Sequence, residues 1–426
     1  MLYRGDDANA YKITDAFVEE MNGDVVIDAV YGRNLLMEEK YGIKFVKRPE
    51  KSPTETAVRE TISGDQSYDV MIDCMITGFP RALENYFYDF NKLTYLDIAD
   101  PWWDANISRD LTVAGHLFLI AGDVTSRPIC DARFIYFSKG IMDVCGIDYP
   151  YDMVREGTWT IDRMIEMVTK ATADLDGNGI ITADDRVGFL EESSNNFLTG
   201  CGVVFTENDE YGIPDIACIN ERTVAALEKV QALFGVPNCT LTYEDAASGR
   251  DTNGYPHIWE YVRSVFFAGN HFLFVQNGAG ESSSFRDMEP GYGVLPNPKL
   301  DEKQENYYHL VDPYSCAWFM PSDPADAAFT DMIFTAWAYH SGEVREAYFE
   351  KTLKYKRMDA PDDSEMLDLI FRSMRYEVST LCDLGISGML VKAFKNGSLI
   401  STYEKDETAI NKKLNDLADD ILALGN

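Results

Sequence analysis

Helix-period and strand-period segments alternate through the first third of the chain, and this alternation constrains the fold more than any other feature. Residues 27–41 carry apolar positions at Ala29, Leu35, Leu36 and Met37 and read as a helix, after which Ile43-Lys44-Phe45-Val46 alternates as a strand. Residues 54–63 are again helical. Tyr68-Asp69-Val70-Met71-Ile72-Asp73 reads as a buried strand, and Leu117-Phe118-Leu119-Ile120 and Phe134-Ile135-Tyr136-Phe137 as further strands. Strands separated by helices return to one sheet in parallel, so the expected class is α/β. A chain of 426 residues exceeds what one core ordinarily holds, which predicts two such lobes.

Later segments continue the pattern. Thr158-Trp159-Thr160 caps a helix running to about residue 172, with Ile161, Ile165 and Val168 on one face. Arg186-Val187-Gly188-Phe189 is a short strand and residues 222–234 a helix. Tyr292-Gly293-Val294-Leu295 breaks on Pro296 and Pro298, as expected of a connection between lobes. Ser322 and Pro324 start a helix carrying Phe329, Met332, Ile333 and Ala336. The last helix spaces Ile410, Leu414, Leu417, Ile421 and Leu424 as a single helix packed on a lobe does.

Between the Thr160-capped helix and the Arg186 strand lies Asp174-Leu175-Asp176-Gly177-Asn178-Gly179-Ile180-Ile181-Thr182-Ala183-Asp184-Asp185. Oxygen donors stand at loop positions one, three, five, nine and twelve, a glycine at six and an apolar residue at eight, the spacing of an EF-hand calcium loop. Ca²⁺ takes six to eight hard oxygen ligands, and a short loop wraps it only by turning alternate donors inward. The expected ligands are Asp174, Asp176, Asn178, the Ile180 carbonyl, Thr182 and Asp185. Position twelve is Asp185 where Glu is usual, so its shorter arm reaches less far. A solitary loop points to a structural ion and not to a calcium switch.

Asp and Glu total 71 against 38 Lys and Arg, a formal charge of −33. Such a surface repels phosphate backbones and anionic lipid headgroups, which argues against nucleic-acid and membrane-surface binding. The eight cysteines form no CxxC pair and no Cys/His metal spacing, and most have apolar neighbours, as buried free thiols do; whether Cys201 and Cys218 pair is left open. No run approaches the roughly 18 apolar residues of a membrane span. Met1-Leu2-Tyr3-Arg4, followed by polar residues, does not read as a signal peptide, which suits either a cytoplasmic protein or one whose leader has been removed.

The five histidines show no HExxH spacing, and GxSxG, P-loop and GxGxxG motifs are absent, so no catalytic constellation is legible. Aromatic residues are plentiful, with six tryptophans, 24 tyrosines and 23 phenylalanines. Their rings pack against the apolar faces of sugars while Asp, Asn and Arg bond the hydroxyls. Trp103, paired with Trp102 after Pro101, is read either as a stacking platform or as a buried corner. Trp318 ends a strand and is a second candidate. Asp73, at the C-terminal end of its strand, stands where α/β lobes present ligand contacts.

The order of several segments resembles the family 1 extracellular solute-binding proteins of carbohydrate ABC transporters, in the form common among anaerobic Gram-positive bacteria. The segments are Asp100-Pro101-Trp102-Trp103-Asp104, Ala121-Gly122-Asp123, Phe134-Ile135-Tyr136-Phe137-Ser138-Lys139, Gly157-Thr158-Trp159-Thr160, the Asp174 loop, Tyr292-Gly293-Val294-Leu295-Pro296 and Tyr355-Lys356-Arg357. The resemblance runs from about residue 24 to the C-terminus. It implies a bilobal periplasmic-binding-protein-like fold, two α/β lobes joined by hinge crossings near residues 122–133, near 293–299 and before Gly385. Residues 1–123 with about 299–370 would form one lobe, and 124–298 with about 371–426 the other, which contains the calcium loop.

By position the resemblance adds Asp131, Asn196, Phe197, Arg286 and Tyr314 as ligand contacts. It implies a monomeric receptor, not an enzyme, tethered outside the cell as a lipoprotein and delivering a carbohydrate, an oligosaccharide, to permease subunits. The rival expectations are a secreted carbohydrate-active hydrolase and a peptide receptor of the same architecture.

Overall fold

The computed structural model describes residues 1–5, 16–125, 130–285, 287–349 and 361–424, and these build two α/β lobes. The first lobe is organised on β1 (Leu2–Arg4), β2 (Arg48–Glu50), β3 (Met71–Cys74) and β12 (Cys316–Phe319), in the order β12-β3-β1-β2. Strands β2 and β3 flank β1 in parallel, and β12 closes the edge antiparallel to β3. The second lobe uses β4 (Phe134–Ser138), β5 (Val187–Leu190), β8 (Thr240–Leu241), β9 (Phe272–Asn277) and β10 (Tyr292–Leu295), in the order β10-β4-β9-β5-β8. Here β5 is parallel to β8 and β9, while β4 is antiparallel to β9 and β10.

Most helices start where capping chemistry places them. The Asp24 side chain accepts from the Val26 and Ile27 amides to open Val25–Tyr41, and Gly42, at φ 66°, ends it. Thr160 caps Ile161–Ala171, and Trp159 beside it is fully buried with its indole N–H on the Pro296 carbonyl at 2.8 Å. Two expected strands differ. Residues 43–46 are not a strand, because the Phe45 ring packs on Phe17 and Trp337; the edge strand begins at Arg48 and contains Pro49, which an edge tolerates. In the 117–120 segment only Ile120 bridges a strand, at Trp318, while its neighbours pack into the core.

Three passages join the lobes side by side. The first ends at Ala132, which bridges Val311; the second runs through β11 (His309–Leu310), paired in parallel with β13 (Met374–Arg375) in the third. The second passage therefore lies later than the expected 293–299. Asn297 locks the first two together, donating to the carbonyls of Arg133 at 2.9 Å and Tyr308 at 3.3 Å, and from its amide to His309 Nε2 at 3.1 Å. His309 is fully buried, and that burial pushes its pKa down to about 3, so it stays neutral and its Nδ1–H faces the Ser373 hydroxyl. The helix Pro361–Arg372, expected with the first lobe, packs on β10 instead. Its buried Asp363 fixes it there, accepting from Lys139 Nζ (3.0 Å), the Tyr151 hydroxyl (2.6 Å) and the Val294 amide (2.9 Å).

Glu377 follows β13 and reaches across to the hairpin of β6 (Thr206–Asn208) and β7 (Pro214–Ile216), accepting from the Thr206 hydroxyl at 2.6 Å. Burial pushes its carboxyl up from 4.5 to about 7. A raised folded-state pKa adds stability that is complete below the unfolded value and is lost as pH rises through the folded one. Melting temperature is thus expected to fall between pH 4.5 and about 7, and Glu377→Gln to flatten that fall. Equal slopes for both proteins in a pH series of thermal melts would contradict this.

Candidate functional site

A cavity of about 620 Å³ opens beside the first two passages. Parallel strands β5 and β9 both end there, with Asn277 the last residue of β9 and Glu192 just beyond β5; Asp131 and Arg133 lead into antiparallel β4. Strand ends of α/β sheets characteristically meet ligands at such a position. Two helices, Tyr243–Ala247 and Ile258–Val262, add Tyr243 and Trp259, and the segment leading into β12 brings Asp312 and Tyr314 from the first lobe. The walls therefore come from both lobes and from the chain that joins them.

Arg133 is the centre of this arrangement. Its guanidinium donates to Asn277 at the end of β9 and to Asp312 on the second passage. Burial works against its charge, but Asp312, Glu192 and Asp131 outweigh that and hold its pKa above the usual value. A second arginine, Arg263, lies 4.4 Å from the centre of the Trp259 ring and 3.7 Å from Glu281. The Tyr243 hydroxyl donates to Glu192 at 3.0 Å; burial, then the Glu192 charge, pushes its pKa well above 10. Gly278 lets β9 approach this wall, since a side chain there would meet the Cys130 carbonyl at 2.2 Å. Among the described lining residues are six carboxylates, Asp131, Glu192, Glu244, Glu260, Glu281 and Asp312, against the two arginines.

Of the residues expected from sequence, Asp131 and Tyr314 line this cavity, Tyr314 being 45% exposed. The others lie elsewhere. Trp103 is buried against Phe334 and borders a separate cavity of about 450 Å³. Asn196 is buried and donates to Gln276 at 3.0 Å, which itself donates to Asn297. Phe197 packs edge-on against Phe189 and Phe234, and Trp318 against Phe334 and Trp337; both are fully buried, so their faces are used by the core and not by a ligand. Asp73 is likewise enclosed, bound to Arg4 and Thr54. Arg286 lies outside the described residues. Sequence reasoning missed Glu192, although the strand-end rule that selected Asp73 applies equally to a carboxylate just beyond β5. It also missed Trp259, whose signal was the run His257-Ile258-Trp259-Glu260-Tyr261.

The Asp174 loop joins Ile161–Ala171 to β5, at the opposite end of that strand from Glu192. Ala173 bridges Arg186 to close its base. Gly177 and Gly179 turn with φ 73° and 81°, and their amides donate to the Asp174 carboxylate at 2.7 Å each. Oxygens of Asp174, Asp176 and Asp185 converge within 4.8 Å of one another. Three carboxylates with the Asn178 and Thr182 side chains nearby form an all-oxygen donor set, which fits a hard divalent cation such as Ca²⁺. All eight cysteines carry free thiols, Cys201 and Cys218 included, and burial raises those two to about 12.

No protein-family model matches the chain, and no curated protein matches its sequence. Solved structures do match. RafE from Streptococcus pneumoniae superposes with a TM-score of 0.59 at 12% identity, over 93% of this chain and 96% of that one. An ABC substrate-binding protein from Listeria monocytogenes in complex with cycloalternan gives 0.55 at 12%, over 92% and 95%. UgpB from Mycobacterium tuberculosis, in complex with glycerophosphocholine, gives 0.57 at 12%, over 93% and 96%. The fold is therefore that of the two-lobed substrate-binding proteins, along nearly the whole chain. Among the described residues no helix is long and apolar enough to cross a membrane.

Proposed function

We propose that this protein is a non-enzymatic extracellular receptor that captures a carbohydrate, an oligosaccharide, and delivers it to the permease subunits of an ABC importer. The observation that carries the reading is the cavity at the passages, whose walls come from both lobes. Tyr243, Tyr255, Trp259 and Tyr314 offer aromatic surface beside Asp131, Asn277 and Asp312, the combination that binds sugar rings and their hydroxyls. Ligand touching both lobes favours the closed form only by the contacts it gains there, and paired strands β11 and β13 are the natural hinge. A lipid tether and monomeric state complete the reading. The resemblance in segment order and the fold shared with sugar-binding receptors support it. A thermal-shift screen across mono- and oligosaccharides, with analysis of the recovered sugar, tests it. A rise in melting temperature with the sugar unchanged is expected; cleavage would make the protein a hydrolase, and a response to peptides alone a peptide receptor.

The Asp174 loop is proposed to hold a structural Ca²⁺ that braces the second lobe, through Asp174, Asp176, Asn178, Thr182, Asp185 and the Ile180 carbonyl. A chelator is expected to lower the melting temperature of the protein and to have less effect on Asp176→Ala. A chelator-insensitive melt would remove the ion.

A further inference from the structure

We propose that the captured saccharide carries a protonated amine, a refinement that rests on the receptor reading above. The two arginines of the cavity are already engaged, Arg133 with Asp312 and Arg263 with Glu281. Glu192 and Glu260, both half-buried, and Glu244 at the exposed rim form no ion pair within 4 Å among the described residues. Glu192 receives only the neutral Tyr243 hydroxyl and shares the field of Arg133 with Asp312 and Asp131, so its charge is only partly offset while water is partly excluded from it. Closing the lobes would deepen that desolvation, which an arriving ammonium offsets and an uncharged hydroxyl does not. An anionic sugar would meet the same carboxylates with both arginines occupied. A ligand with hydroxyls for the polar groups, a ring for the aromatic wall and an amine for Glu192 answers all three features.

Titration calorimetry with glucosamine oligomers, against N-acetylated oligomers of equal length, tests this on the intact protein. The free amines are expected to bind at least about tenfold more tightly. The preference should vanish at pH values that deprotonate the amine, and shrink to about threefold or less in Glu192→Gln, which keeps the Tyr243 hydrogen bond. Equal or tighter binding of the acetylated series overturns the amine while leaving the receptor reading intact. So does binding only of other neutral saccharides, or tighter binding of uronic-acid oligomers. Absence of binding to any saccharide defeats both.

Discussion

Asp73→Ala is expected to destabilise the protein by about 3 kcal/mol while leaving saccharide affinity unchanged below the melting transition. The Asp73 carboxylate is 1% exposed and accepts from Arg4 Nη2 at 2.8 Å and Nε at 3.1 Å, from the Thr54 hydroxyl at 2.8 Å and amide at 3.2 Å, and from the Cys74 amide at 2.8 Å. It thereby ties the end of β1 and the start of the helix Pro53–Ser63 to β3. Removing one partner of a buried pair strands the other; breaking such pairs costs roughly 3–5 kcal/mol, and the 21% exposure of Arg4 places this one at the lower end. Urea denaturation reads the loss directly. A variant of normal stability with weakened sugar binding would instead return Asp73 to the ligand site.

Arg133→Met is expected to weaken saccharide binding by about 2 kcal/mol or more, roughly thirtyfold. Methionine retains much of the side chain's volume but none of its donors. Asp312 would then face Asp131 and Glu192 without a cation, and Asn277 would lose its tie to the first passage. Mutual repulsion of those carboxylates would splay the passages that the proposed closure brings together. Calorimetry with the saccharide found in the screen measures this; affinity within a factor of about two of the unmodified protein would show that Arg133 serves the fold alone.

The α/β alternation and the Thr160 cap were readable because they are local. Thr160 acts on its own helix start, and the Asp174 loop brings its donors together within twelve residues. The cavity was readable only in part because it is assembled from distant segments. Tyr314 and Asp131 were reached through resemblance, whereas Glu192, Tyr243 and Trp259 meet them only once β4, β5 and β9 are in register. The misplaced aromatics fail for a related reason. Nothing adjacent to Phe197 or Trp318 distinguishes a ring facing a cleft from one facing Phe234 or Trp337, and tertiary packing decides between them. The helix Pro361–Arg372 changed lobes because of one buried carboxylate, Asp363, whose partners Lys139, Tyr151 and Val294 lie far away in sequence.

Small-angle X-ray scattering of the protein with and without the saccharide that raises its melting temperature tests most directly whether two lobes shut on an intact guest. A smaller radius of gyration in the presence of the sugar, with the sugar recovered whole, is the expected result. An unchanged scattering profile at saturating sugar would contradict closure about β11 and β13.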